Sequence, residues 1–85
     1  MNLKQKNKLT NPRLDTINKG EKCKTVKLHA SGKLMHKLLD MGFVVGSEIE
    51  VIREAPLYDP IELKVQNYNI SLRKSEANLI EVVKV

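Results

Sequence analysis

The sequence predicts an all-β fold, a small β-barrel of about five short strands that carries one short α-helix. Apolar and polar residues alternate with a period of two in several short segments, and the period changes to that of a helix only once. The chain has 85 residues, too few for two packed sheets of ordinary area. A single sheet that curls into a barrel leaves fewer exposed strand edges, so a barrel is the expected solution.

The first strand is expected from residue 24, because two sets of side chains alternate from there. One set should face the core and the other the solvent, as in a half-buried strand. The apolar set is Val26, Leu28 and Ala30, and the polar set is Thr25, Lys27 and His29.

One amphipathic helix of about three turns is predicted after this strand. Ser31 is suited to cap its start, and Gly42 is suited to the left-handed backbone position at its end. One arc of the helical wheel is apolar and the opposite arc is polar. The apolar arc holds Leu34, Met35, Leu38, Leu39 and Met41, and the polar arc holds Lys33, His36, Lys37 and Asp40.

The remaining sequence predicts further strands at residues 48–53, 61–66, 68–73 and 80–85. Gly46 should allow the turn into the first of these. Asn67 is expected at positive φ in the tight turn between residues 66 and 68, because asparagine tolerates that region better than most residues. Residues 75–78 resemble a single helical turn. Pro56 and Pro60 frame a stiff loop between the second and third strands.

Composition limits the class of protein. Hydrophobic residues make up 41% and charged residues 29%, as in ordinary globular domains. The single cysteine, Cys23, cannot form an internal disulfide, and it is expected as a small buried or edge thiol. No stretch approaches the roughly 18 apolar residues of a membrane span, and residues 1–13 lack the pattern of a secretory signal. We therefore expect a cytoplasmic location.

The net charge of +5 is concentrated at the N-terminus. Residues 1–13 contain four of the 15 basic residues and no acidic one, which leaves 11 basic and 10 acidic residues for the rest of the chain. The sequence therefore predicts a flexible basic tail at 1–13 and a nearly neutral domain at 14–85. A nucleic-acid-binding domain usually carries a basic face on the fold itself, so no nucleic-acid partner is expected.

Three blocks of sequence, LLDMGFVVGSEIEV at residues 38–51, APLYDPI at residues 55–61 and residues 70–82, have a distinctive spacing of glycine, proline and charged residues. Together they resemble the ferrous iron transport protein A (FeoA) family. Residues 38–51, LLDMGFVVGSEIEV, are similar to its pattern L-x-x-[ML]-G-[LF]-x-x-G-[ST]-x-[IV]-x-V. Residues 55–61, APLYDPI, are similar to A-P-x-x-D-P-I. Residues 70–82 resemble its ending, [IV]-[SA]-L-R-x-x-E-A-x-x-I-x-V. The blocks occur in the family's order and spacing across residues 14–85.

The resemblance implies a barrel of the SH3-like type in a cytoplasmic accessory protein of bacterial ferrous iron uptake. It implies a protein partner, the cytoplasmic part of the large membrane transporter FeoB, so that contact with the membrane is only indirect. A weak homo-oligomer remains open, because residues 83–85 could leave an exposed strand edge. No catalytic arrangement of nucleophile and base and no glycine-rich phosphate loop occurs, so an enzyme is not expected.

The partner-binding residues predicted from the sequence lie in the proline-framed loop and beside the last helical turn. They are Pro56, Leu57, Tyr58, Asp59 and Arg73. Apolar side chains at the tip of a stiff loop can anchor in a pocket, and a stiff loop loses less entropy on docking. Two alternatives stay open: Leu57 could fold back onto the barrel, and Arg73 could be a surface residue paired with Glu76.

A metal site is the weaker hypothesis. His36 and Asp40 lie four residues apart on the polar arc of the helix, so both could reach one ion. A third ligand would have to come from His29 or a neighbouring molecule, and a solvated helix face explains the same residues. No cofactor is required, although ferrous or another transition metal ion could bind. The alternative functions are a transition-metal sensor or carrier and a small nucleic-acid-binding barrel that uses the basic tail.

Overall fold

The computed structural model describes residues 10–54, without the side chain of Glu54, and residues 59–85. Five strands and two helices follow a short 3-10 turn at Leu14–Thr16. In chain order the elements are β1 (Lys22–Leu28), α1 (Gly32–Asp40), β2 (Glu48–Glu54), β3 (Ile61–Val65), β4 (Tyr68–Leu72), α2 (Lys74–Ala77) and β5 (Ile80–Lys84). The predicted all-β class with about five strands and one short α-helix is confirmed, and α2 is the predicted single turn.

All strand pairs are antiparallel, and the order across the sheet is β4-β3-β2-β1-β5. The strands that follow each other along the chain pair directly, except that β5 returns to lie beside β1. In the described residues the ladder therefore ends at β4 on one side and at β5 on the other. These two strands are the edges of the sheet.

Every strand contributes buried side chains to a single apolar core. Ile49 and Val51 of β2 and Leu63 of β3 are at most 1% exposed, as their alternation with charged neighbours predicts. Leu38 of α1 and Phe43 just after it are also fully buried and close one end of this core. The complete cluster adds Leu14, Ile17, Cys23, Leu28, Ile61, Val65, Leu72, Ala77, Ile80 and Val82.

The predicted facing of β1 is wrong in its first half. Thr25 is buried, at 2% exposure, whereas Val26 is only half-buried. A register shift between Thr25 and Lys27 in the pairing with β5 inserts one extra residue, which reverses the alternation. The Thr25 hydroxyl meets the Ser47 hydroxyl at 2.9 Å, so this buried polar group has a hydrogen-bond partner.

The predicted helix is confirmed, with two corrections. Ser31 occupies the N-cap position with extended backbone, but its side chain makes no capping hydrogen bond. Leu39 was expected in the apolar arc, yet it is 38% exposed. A helix of nine residues meets the core through a narrow stripe, and Leu38 occupies the centre of that stripe. Gly42 follows the C-cap residue Met41 with φ +107°, as predicted.

The β3–β4 hairpin has a two-residue turn in which both residues have positive φ, 48° at Gln66 and 71° at Asn67. Paired positive values at both central positions are those of a type I′ turn, whose twist matches that of the flanking strands. The prediction for Asn67 is confirmed, whereas Gln66 was not foreseen because glutamine has no special preference for this region.

The segment before the 3-10 turn is joined to β5. The Val82 amide donates to the Pro12 carbonyl at 3.0 Å, and Arg13 forms an isolated bridge with Glu81. The Arg13 guanidinium also donates to the Asn78 carbonyl at 2.7 Å. Residues 11–13, which the sequence analysis placed in the basic tail, thus lie against the sheet, and residues 1–9 lie outside the described residues.

Candidate functional site

The polar face of α1 is linked to α2 by an ion pair. The Lys37 ammonium lies 2.7 Å from a carboxylate oxygen of Glu76, with the Lys37 side chain about half exposed and that of Glu76 mostly covered. The hydrogen bond from Lys37 lowers the pKa of the Glu76 carboxyl, and the charges of Lys37 and Arg73 act in the same direction. Glu76 therefore stays ionised at neutral pH, and the ion pair links α1 to α2.

Glu76 also joins Arg73 to this surface. The Arg73 backbone amide donates to the other carboxylate oxygen of Glu76 at 3.3 Å, as the glutamate of a capping box does. The Arg73 residue itself is exposed. The pairing of Arg73 with Glu76 that the sequence left open thus exists through the backbone, and no ion pair between their side chains is among the described contacts.

The end of the proline-framed loop, at Asp59, contacts the start of α2. An Asp59 carboxylate oxygen accepts a hydrogen bond from the Lys74 backbone amide at 2.9 Å. This interaction fixes Asp59 at the first turn of α2, next to Arg73. Pro56, Leu57 and Tyr58, the other predicted loop contacts, lie outside the described residues.

We call the exposed face formed by the polar arc of α1, Arg73 and Asp59 the α1–α2 surface. The sequence predicts all three as contact surface; in the structure Lys37 and the Arg73 amide contact Glu76, and Asp59 contacts the Lys74 amide. The surface mixes both signs of charge, with Lys33, Lys37 and Arg73 against Asp40, Asp59 and Glu76. Mixed charge at an exposed rim sets orientation and specificity in protein recognition more than it sets affinity.

Only part of the predicted metal site is brought together. His36 and Asp40 are both exposed on α1. Within residues 10–54 and 59–85, no group of three or more His, Cys, Asp or Glu side chains is placed to hold a metal ion. His29, the suggested third ligand, has its Nε2 atom 2.7 Å from a Glu81 carboxylate oxygen, which gives it a different partner.

Cys23 is fully buried in β1, as the sequence predicted. Burial raises the pKa of its thiol to about 11, and the nearby Glu21 carboxylate adds to the effect. Because the thiolate is the form that coordinates metals and attacks electrophiles, this thiol is a poor ligand and a poor nucleophile at neutral pH.

Exposed apolar side chains form a feature that the sequence analysis did not single out as functional. Val44 and Val45 in the α1–β2 turn are 43% and 74% exposed, and Tyr68 at the start of β4 is 72% exposed. The signal for the first two was present, because two valines stand between Gly42 and Gly46 in a turn where polar residues are usual. Tyr68 alternates in β4 with the same period as Ile70 and Leu72, yet it is the most exposed of the three.

No helix in the described part of the chain is long and apolar enough to cross a membrane.

Comparison with known proteins gives a consistent result. The model of the FeoA domain family matches residues 13–84. An Fe(2+) transport protein A/Fe(2+) transporter FeoB fusion protein of Porphyromonas gingivalis is 39% identical over 70 residues, which cover 82% of this chain and 8% of that protein. This chain therefore spans only a small part of that relative.

Solved structures agree with the family match. The iron(II) transport protein A of Clostridium thermocellum is 49% identical with a TM-score of 0.83, covering 86% of this chain and 45% of that one. The FeoA of Stenotrophomonas maltophilia, solved in complex with zinc and described as an SH3 domain protein, is 26% identical with a TM-score of 0.68, covering 82% and 87%. The predicted SH3-like architecture is confirmed.

Proposed function

Because the chain belongs to the FeoA domain family, we propose that it is a cytoplasmic accessory protein of bacterial ferrous iron uptake that binds the cytoplasmic part of a FeoB-like transporter. The observation that carries the proposal is the fusion protein, in which a related domain and the transporter are one polypeptide. Domains joined in one chain in one organism commonly act together when they are separate in another. As an accessory protein, the domain would need no catalytic centre of its own.

The α1–α2 surface is the contact that we propose for this partner. The Lys37–Glu76 ion pair links α1 to α2, and the hydrogen bond from the Lys74 amide holds Asp59 at the first turn of α2. A preorganised surface loses little conformational entropy on binding. Arg73 is exposed within it, and arginine is among the residue types that most often dominate binding energy.

The test is titration calorimetry with the cytoplasmic domain of the FeoB-like transporter from the same organism, without nucleotide, with GDP and with a GTP analogue. Arg73→Ala is expected to weaken binding about tenfold, a typical loss for an interface anchor. Lys24→Ala, which removes an exposed positive charge from β1, should leave the affinity within about twofold. Absence of binding in every nucleotide state would overturn the proposal. Equal loss of affinity in Arg73→Ala and Lys24→Ala would show that the α1–α2 surface is not the contact.

Transition-metal binding is a second candidate, supported by the exposed His36 and Asp40 pair and by the relative solved with zinc. Two protein ligands leave most coordination positions to water or to another molecule, so we expect weak binding. In anaerobic titrations with ferrous ion, and separately with zinc, His36→Ala should abolish the heat of binding. His29→Ala is the matched control, because His29 is bonded to Glu81. Loss of the heat of binding in His29→Ala but not in His36→Ala would contradict a metal site at His36 and Asp40.

A further inference from the structure

The two edge strands of the sheet, β5 and β4, differ in whether another segment of the described chain pairs with their outer side. The outer side of β5 is occupied by the segment before the 3-10 turn, through the hydrogen bond from the Val82 amide to the Pro12 carbonyl and the bridge between Arg13 and Glu81. The C-terminal strand, where the sequence left an exposed edge open, is therefore already partly paired. The other edge is β4.

The tight turn determines which backbone groups of β4 face outward. In a two-residue hairpin the closing pair, here Val65 and Tyr68, is a hydrogen-bonded pair, and hydrogen-bonded and non-bonded pairs then alternate. The backbone groups of Ile70 and Leu72 therefore form hydrogen bonds with β3, whereas the N–H and C=O groups of Asn69 and Ser71 point away from β3. No backbone partner for these two residues occurs in the described part of the chain.

Strand β4 also lacks the features that usually protect an edge. Its sequence, YNISL, has no charged residue and no proline, and its pairing with β3 runs without a register shift. Tyr68 is 72% exposed and Ile70 is half-buried. Natural edge strands are usually interrupted by lysine, proline or a bulge to prevent pairing with another chain. An uninterrupted neutral edge of this kind is suited to accept a further strand.

We propose that β4 pairs with β4 of a second copy of this chain, antiparallel about a two-fold axis at Ile70. This register places Asn69 opposite Ser71 of the partner subunit, and symmetry repeats the pair, so four backbone hydrogen bonds form. Tyr68 then lies opposite Leu72 of the partner subunit, where its exposed ring loses contact with water. A two-fold axis makes the interface self-complementary.

Charge favours a second copy as the occupant. With the axis at Ile70, the paired residues Tyr68–Leu72 of both copies carry no charged side chain, and Arg73 and Lys74 lie beyond the paired strands. No two like charges are brought opposite each other, although the chain carries a net charge of +5. Five residues per strand form a small contact, below the roughly 1,200 Å² of stable complexes. The dimer should accordingly be weak and should dissociate on dilution.

The test is sedimentation equilibrium of the purified full chain over about 10 μM to 1 mM protein at roughly physiological salt, where surface charges are screened. Ser71→Pro removes an outward N–H without breaking the β3 ladder, and proline is tolerated at such positions of edge strands. It should weaken dimerisation at least tenfold. Ser71→Thr keeps the N–H and should dimerise normally. Circular dichroism checks that both variants remain folded.

A second pair of variants tests the register. In the double variant Asn69→Lys/Ser71→Lys, two lysines face each other twice, so the dimer should be lost. In Asn69→Lys/Ser71→Glu each lysine faces a glutamate, so the dimer should persist. A monomeric wild-type chain at 1 mM, or a dimer that neither Ser71→Pro nor the double lysine variant weakens, would overturn the proposal. If the wild type is monomeric and Ser71→Pro instead loses binding to the transporter domain, the edge accepts a transporter segment rather than a second copy.

Discussion

Replacement of Phe43 by alanine is expected to lower the free energy of unfolding by about 3–5 kcal/mol. Phe43 is fully buried and is the largest of the fully buried side chains. It is fixed at the exit of α1, where its amide donates to the Leu38 carbonyl at 3.1 Å. The loss combines the transfer of the ring to water with the cavity that remains, because neighbouring strands cannot collapse into it.

The size of the domain makes this loss severe. A chain of this length is stable by about 4–13 kcal/mol, so the variant would be partly unfolded near the lower end of that range. Urea unfolding followed by far-ultraviolet circular dichroism measures the change. Val45→Ala, two residues away and 74% exposed, is the matched control and should change the free energy by less than about 0.5 kcal/mol. A loss below about 1 kcal/mol for Phe43→Ala would contradict its position in the core.

The strand pattern could be predicted from the sequence where burial depends on local alternation alone. Ile61, Leu63 and Val65 alternate with charged residues, and the predicted face of β3 is the buried one. In β1 the same reasoning failed, because the pairing with β5 has a bulge between Thr25 and Lys27 that reverses the alternation of buried and exposed side chains. Nothing in the seven residues of β1 specifies this bulge.

The candidate site shows a similar limit. The exposure of His36, Asp40 and Arg73 follows from their chemistry and from the helical period. The link between α1 and α2 does not, because it is the ion pair of Lys37 with Glu76, two residues 39 positions apart in the sequence. Sequence spacing identifies neighbours on one helix, whereas a contact between distant elements depends on the complete fold. The sequence also did not predict that β4 is an edge strand, because the residues of each strand do not specify the order of the strands in the sheet.

Substitution of Gly42 by alanine is expected to lower the free energy of unfolding by about 2–5 kcal/mol, from backbone strain and from overpacking. Comparison with Gly46 separates these two causes. Gly42 has φ +107°, and a β-carbon there would lie 3.2 Å from the Val65 Cγ1 atom. Gly46 has φ +90°, but a β-carbon would meet no atom within 4 Å. Gly46→Ala therefore measures the backbone cost alone, about 1–2 kcal/mol for an L-residue in this region. The excess at Gly42 measures the contact.

Val65 cannot easily move away from a new methyl group. It is fully buried, and it is paired with Ile49 of β2 on one side and with Tyr68 of β4 on the other. The Gln66 side chain also donates to the Gly42 carbonyl at 3.1 Å, so the turn after α1 and the β3–β4 hairpin are already in contact. Overpacking in such a place costs about 1–3 kcal/mol. Urea unfolding of both alanine variants measures the two losses in the free energy of unfolding. The backbone contribution is common to the two glycines, and only Gly42 has the contact with Val65. Equal losses would therefore show that the turn after α1 does not pack against Val65.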